Sequence, residues 1–193
     1  MAEVPQDILD WRKRTGADRY DEMWEGVLHM PPMPNREHQN FVWALETWLR
    51  VNWARSGRGR LFHEINVASI GGWPKNYRVL DVLILKPDRY QIDRNEYFEG
   101  GPTVAVEVVS PGDESYDKFD FYGAIGTPEV WTIQRDSRTP EMWLLHEGTY
   151  RRQEPNAAGW LCSPETEVQM CASDDRRLMI RLGQDEGTLE LLP

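Results

Sequence analysis

Two stretches of this chain are almost wholly apolar, yet each carries a single acid at its centre. The first is Val79-Leu80-Asp81-Val82-Leu83-Ile84-Leu85, and the second is Thr103-Val104-Ala105-Val106-Glu107-Val108-Val109. Runs of this length and β-branched content suit central strands covered on both faces of a sheet. A carboxylate in such a place is costly, because alone in apolar surroundings it takes up a proton or needs a partner. Two of them, on strands that can lie side by side, point to a shared cation. Magnesium takes oxygen ligands, often one or two carboxylates completed by waters and substrate phosphates. The main-chain carbonyl of Val108 can add a third oxygen. The alternative is a buried ion-pair network without function, made with Arg78 or Lys118.

The surrounding pattern supplies the rest of a layered domain. Residues 1–19 are polar around Trp11 and predict a short helix or arm. Trp24 to Met30 reads as a strand or hairpin that stops at Pro31-Pro32, where the ladder loses its donors. Asn35 is a good N-cap, and Phe41, Val42, Leu45, Trp48, Leu49 and Trp53 then recur at spacings of three and four, the mark of an amphipathic helix ending before Gly57. Leu61 to Ile70 has strand character. Ser115 can cap a second helix carrying Lys118, Tyr122 and Ile125, closed by Gly126. Glu129 to Ile133 is a third apolar strand, reached by a helical crossover and so parallel to the second. A hairpin is expected around Glu147-Gly148, and residues 155–193 read as short strands with turns. The fold class is therefore α/β, a mixed β-sheet flanked by helices with extra strands at the C-terminus. One domain is expected over 1–193, with its core at about 20–152 and a β extension at 153–193.

Composition narrows the function classes. The 193 residues are 40% hydrophobic and 28% charged, which is a globular composition. The N-terminal residues lack the apolar core of a secretory signal, and no stretch has the apolar length of a membrane span. Cys162 and Cys171 are not in a paired spacing and are expected to be reduced thiols of a cytoplasmic protein. The formal net charge is −10, which disfavours polyanionic partners unless a local basic cleft overrides it. Arg55, Arg58, Arg60, Lys75 and Arg78 are the candidates for such a cleft, or else solvated loop charges. No nucleophilic triad or phosphate-cradling glycine loop is present, and His63-Glu64 lacks the second histidine of a zinc-protease helix.

Asp81 in RVLDVLIL, Glu107 in VAVEVVSPGDESYDKFDFYGAIGTPEVW and the earlier EGVLHMPPMPNREHQ together resemble the Uma-two family. These are bacterial proteins proposed to be endonucleases, formerly a domain of unknown function, within the PD-(D/E)xK restriction-endonuclease-like superfamily. The resemblance covers roughly residues 20–152. It implies that Asp81 and Glu107 are the two motif acids. The superfamily's lysine normally stands two residues after the second acid. Val109 occupies that position here, and the resemblance implies that Lys118 supplies the ammonium instead. Leu80 replaces the proline that usually precedes the first acid. Glu37 is similar in placement to a helix acid that assists the metal, or else is an acid favoured by the helix dipole. His38 is either a site residue or a satisfied core histidine. Asp117 is either an outer partner of the site or a surface charge, and Tyr122 either an outer partner or core.

The resemblance thus implies a metal-dependent endonuclease of the bacterial cytoplasm. Asp81, Glu107 and Lys118 would act on DNA with magnesium or manganese held by Asp81, Glu107, Val108 and Glu37, and a homodimer is expected. Lysine near the metal can position the attacking water and offset charge growing on a phosphate. Two other classes compete. One is a non-catalytic nucleic-acid-binding or scaffold protein, favoured by the acidic charge and by Val109. The other is a phosphodiesterase acting on RNA or a small nucleotide.

Overall fold

The computed structural model describes residues 4–193. Residues 1–3, part of the polar arm expected over 1–19, lie outside the described residues. Chain order begins with α1 (Gln6–Thr15), a 3-10 turn (Ala17–Tyr20), β1 (Glu22–Trp24), β2 (Val27–His29) and α2 (Arg36–Asn52). After a second 3-10 turn come β3 (Arg60–Ala68), β4 (Tyr77–Leu85), β5 (Phe98–Glu99) and β6 (Val104–Val109). A 3-10 turn (Ser115–Lys118) runs into α3 (Phe119–Ala124), then β7 (Glu129–Gln134), β8 (Pro140–His146) and β9 (Thr149–Arg152). The chain finishes with β10 (Leu161–Cys162), β11 (Val168–Ala172), β12 (Leu178–Leu182) and β13 (Asp185–Leu192).

The first nine strands form one mixed sheet. β4 and β6 are central and antiparallel, with Val82 opposite Val106 and Ile84 opposite Val104. β7 runs parallel to β6, as the helical crossover requires. Apolar side chains alternate between two covers. Val82, Ile84, Val104 and Val106 pack under the α2 stripe of Phe41, Leu45, Trp48 and Leu49. Leu83, Leu85, Ala105 and Val130 pack against Phe121 and Tyr122 on the other face. Burial on both faces explains why the strands read as continuous apolar runs.

The local signals act as chemistry dictates. The Asn35 side chain accepts from the His38 N–H at 2.9 Å and starts α2. The β8–β9 hairpin turns through Glu147 and Gly148, both at positive φ, the geometry that matches the twist of the flanking strands. Glu25-Gly26 does the same between β1 and β2. The helix expected from Ser115 differs. Its first turn is 3-10, Ser115 makes no capping bond, and α3 is only six residues long.

The last four strands make a separate antiparallel sheet. Its Val168, Met170, Leu178 and Ile180 join the core under α2. Two tryptophans of that helical segment pin it: Trp48 Nε1 donates to the Thr188 carbonyl at 2.8 Å and Trp53 Nε1 to that of Thr166 at 3.1 Å. Trp11 and Trp43 are the tryptophans left exposed. Among the described residues no helix is long and apolar enough to cross a membrane.

Glu129, at the start of β7, joins the two sheets. It is fully buried and accepts from Trp131 Nε1, from Ser163 Oγ at 2.9 Å and from the Glu165 N–H at 3.4 Å. Burial pushes its carboxyl up to about 7, against the pull of these donors. In the unfolded chain a glutamate titrates near about 4.3. Between those values the folded state holds a proton that the unfolded state has released, so this group's contribution to stability falls as pH rises through the window. We expect Glu129→Gln to gain on the wild type, by on the order of 1–3 kcal/mol, between about pH 5 and about pH 8. Urea denaturation across that range checks this, and a flat difference between the two proteins would refute it.

Candidate active site

β3 pairs along the whole length of β4 and occupies one of its edges. On the other edge β1 pairs only at Tyr77 and β6 only from Val82 to Ile84. Between them, residues 78–81 have no strand beside them on that edge, and backbone groups there still require partners. Side chains supply them. The Val79 N–H donates to Glu22 Oε1 at 3.0 Å, and Lys118 Nζ donates to the Val79 carbonyl at 3.2 Å. The Val108 N–H, just past the end of the ladder, donates to Asp81 Oδ2 at 2.7 Å.

The ionisable groups of the site meet in this gap. Lys118 Nζ lies 2.8 Å from Glu22 Oε1 and 3.2 Å from Glu107 Oε1. The Tyr122 hydroxyl donates to Glu107 Oε1. Continuing the β4–β6 register by one residue sets Asp81 opposite Glu107. Asp81 is approached from the α2 side, where His38 Nε2 lies 2.9 Å from Oδ1. An ionised carboxylate only accepts, so His38 is the donor. Asp81, Glu107, Val108, Glu22, His38 and Lys118 all line one cleft of about 750 Å³.

Burial and charge set the protonation of the group. Burial pushes the Glu107 carboxyl up to about 8, with Lys118 pulling against it and Asp81 adding to it. Burial alone would lower the Lys118 ammonium, but Glu107 and Glu22 outweigh it and hold it raised. For His38 burial also opposes the charged form, and the bond to Asp81 prevails, leaving it raised. Tyr122 is raised by burial and by Glu107, so it remains a donor.

The expected residues divide clearly. Asp81, Glu107, Val108, Lys118, His38 and Tyr122 come together. Glu37 does not: α2 turns it out to solvent, where it acts on Arg135 and Arg138, and His38, one residue on, points at Asp81 instead. Asp117 is also exposed and lies on a separate pocket beside Arg78 and Asp120. The anticipated basic residues do not line the cleft. Arg58 pairs with Glu167, Arg60 stacks over Tyr90, and Arg78 is buried between the rings of Trp24 and Phe121. Glu22 is the residue that sequence reasoning missed. It is 2% exposed, and its other oxygen accepts from Trp24 Nε1 at 2.6 Å. A second acid beside Asp21 in a three-residue strand carries no apolar run to mark it.

Among the described residues no group of three or more His, Cys, Asp or Glu side chains is arranged to hold a metal ion. Asp81 and Glu107 are two of the carboxylates that line the cleft, with Glu22, Glu64, Asp113 and Glu114 around them, and they do not form a closed protein cage.

The family model Uma2, described as "Putative restriction endonuclease", matches residues 5–174. Among solved structures the chain is similar to "a putative nuclease belonging to DUF820" from Anabaena variabilis, at 18% identity and a TM-score of 0.59. That match covers 76% of this chain and 83% of the other, and it shows a shared fold. No curated protein matches the chain.

Removing Glu22 takes one of two carboxylates from a buried ammonium and leaves the Val79 N–H without its acceptor. Glu22→Ala is expected to cost about 3–5 kcal/mol, the range for breaking one side of a buried pair. Tyr122→Phe deprives Glu107 of one donor and is expected to cost about 1–3 kcal/mol. Urea titration measures both, and a smaller loss in Glu22→Ala than in Tyr122→Phe would disprove the pairing described for Lys118.

Proposed function

The chain belongs to the Uma2 family, and on that premise we propose that it is a metal-dependent endonuclease that hydrolyses phosphodiester bonds of DNA. The observation that carries this reading is the convergence of Asp81, Glu107 and Lys118 on one cleft at a gap in the central sheet. The cofactor is magnesium or manganese. The donor set fits such an ion, because magnesium is commonly held by one or two carboxylates and otherwise by waters and substrate phosphates. Asp81 and Glu107 would hold it, with the Val108 carbonyl as a further oxygen. Bound there, it would supply Lewis-acid neutralisation of charge on the scissile phosphate.

The chain's own residues do the positioning. His38 and the Val108 N–H each fix one oxygen of Asp81, and Tyr122 orients Glu107. The Lys118 ammonium is anchored by Glu22 and by the Val79 carbonyl. It acts to hold the attacking water and to offset the negative charge that grows on the phosphate. Preorganised charge of this kind is worth most in a recessed, poorly solvated site.

One observation favours a second reading, a non-catalytic nucleic-acid-binding or scaffold protein. Lys118 is already flanked by Glu22 and Glu107, an arrangement that is self-sufficient as a structural ion pair. Calorimetric titration with manganese separates the two, with heat of binding expected in the wild type and absent in Asp81→Ala. Cleavage in manganese of a circular single-stranded DNA, run beside a plasmid, should fall at least about 100-fold in Asp81→Ala, Glu107→Ala and Lys118→Ala. Intact metal binding without cleavage of either DNA would overturn the nuclease reading in favour of the scaffold.

A further inference from the structure

We infer that the cleft takes an unpaired DNA strand rather than a duplex, with bases against the Met30–Met33 wall and Arg135 holding a phosphate beside the scissile one. The inference rests on the hydrolytic reading of the same cleft and adds the form of the substrate. Its first support is recess. The Glu107 side chain is 4% exposed and that of Asp81 19%, so a phosphate must travel to the cleft floor.

The second support is the walls. One is the segment from His29 to Pro34, stiffened by three prolines and tied down by Arg12, which donates to the Pro31 carbonyl at 3.2 Å. The other is the loop 110–114. His29 Nδ1 and Glu114 Oε2, 2.9 Å apart, link the two walls. A duplex is a rigid rod about 20 Å across, whereas a single strand threads and bends. The His29–Pro34 wall also offers apolar faces, with Met33 49% exposed, and an unpaired base has an apolar face to lay on it.

The third support is charge. Duplex binding rests on many phosphate contacts and leaves a basic footprint. Here the lining carries Glu64, Asp113 and Glu114 besides the floor acids, and Lys118 is held between Glu22 and Glu107. Arg135 is the other Lys or Arg in the lining. Its N–H donates to the Val109 carbonyl at 2.9 Å, which fixes its backbone just beyond β7. Its Nε donates to Asp136 at 2.7 Å and its Nη1 to Ser110 Oγ at 3.4 Å. Its Nη2 has no protein partner among the described residues. One such cation suits one neighbouring phosphate of a flexible strand and falls short of a duplex footprint.

Fluorescence anisotropy tests this, using a labelled oligodeoxynucleotide and its duplex with calcium in place of magnesium. The single strand should bind at least roughly tenfold more tightly than the duplex. Arg135→Gln should weaken single-strand binding by roughly tenfold and lower the salt slope by about one charge, with an unchanged melting temperature. Duplex binding as tight as that of the single strand, no binding of either, or an Arg135→Gln protein that binds like the wild type would each overturn the inference. Selective single-strand binding with no cleavage in manganese would discard the nuclease reading and sustain this one.

Discussion

The organising constraint of this molecule is a stretch of β4 that has a strand on only one edge. A buried backbone N–H or C=O without a partner costs as much as a lost hydrogen bond or more. At residues 78–81 the missing partners are a carboxylate and an ammonium, those of Glu22 and Lys118. Once these two charged groups are drawn into the sheet, each needs compensation of its own, and Glu107 and Tyr122 provide it. Asp81 closes the arrangement by accepting from the Val108 N–H, just past the end of the β4–β6 ladder. The polar cluster is thus what the backbone requires in order to leave a gap, and the gap is what opens an apolar sheet to solvent at one place.

The same accounting gives the cleft its electrostatic character. Within it the ammonium of Lys118 faces two carboxylates, so the floor carries excess negative charge before any ligand arrives. Burial is the main cause of the raised Glu107 carboxyl, and the excess, through Asp81 and Glu22, adds to it. Two routes relieve it: uptake of a proton or arrival of a cation. A divalent ion, if held by Asp81 and Glu107, would reverse the local sign and make the floor hospitable to phosphate. An acidic protein with a net charge of −10 is therefore compatible with an anionic substrate when the attraction is concentrated at a metal and at Arg135 rather than spread over the surface.

The central strands and both of their acids were legible in the sequence, because a lone carboxylate in an apolar run is a local anomaly. The Asn35 cap, the parallel β7 and the Glu147-Gly148 turn were legible for similar reasons, since each depends on residues adjacent in the chain. Glu22 was not, because its importance lies in an absent strand neighbour of β4, a property of the assembled sheet. Glu37 and His38 were each left with two readings for the same cause: near the N-terminus of α2 both are plausible inward residues, and only the helix rotation decides which one faces the site. Arg78 showed a cation close to a buried acid run, but its fate between Trp24 and Phe121 depends on a hairpin and a helix that lie more than forty residues before and after it in the chain.

The position of the lysine shows why spacing is a weaker guide than place. On a strand, residues two apart share a face, so a lysine at position 109 would extend on the side of Glu107. In this chain Val109 is buried there, and the ammonium comes from the turn before α3. It nevertheless ends 3.2 Å from the same carboxylate. What a phosphate would meet is the location of the charge, its desolvation and its anchoring. All three are set by Glu22, Val79 and Glu107, whichever backbone segment carries the side chain. Lys118 is the last residue of that 3-10 turn, and from there its side chain reaches Glu107 on β6 and the Val79 carbonyl on β4.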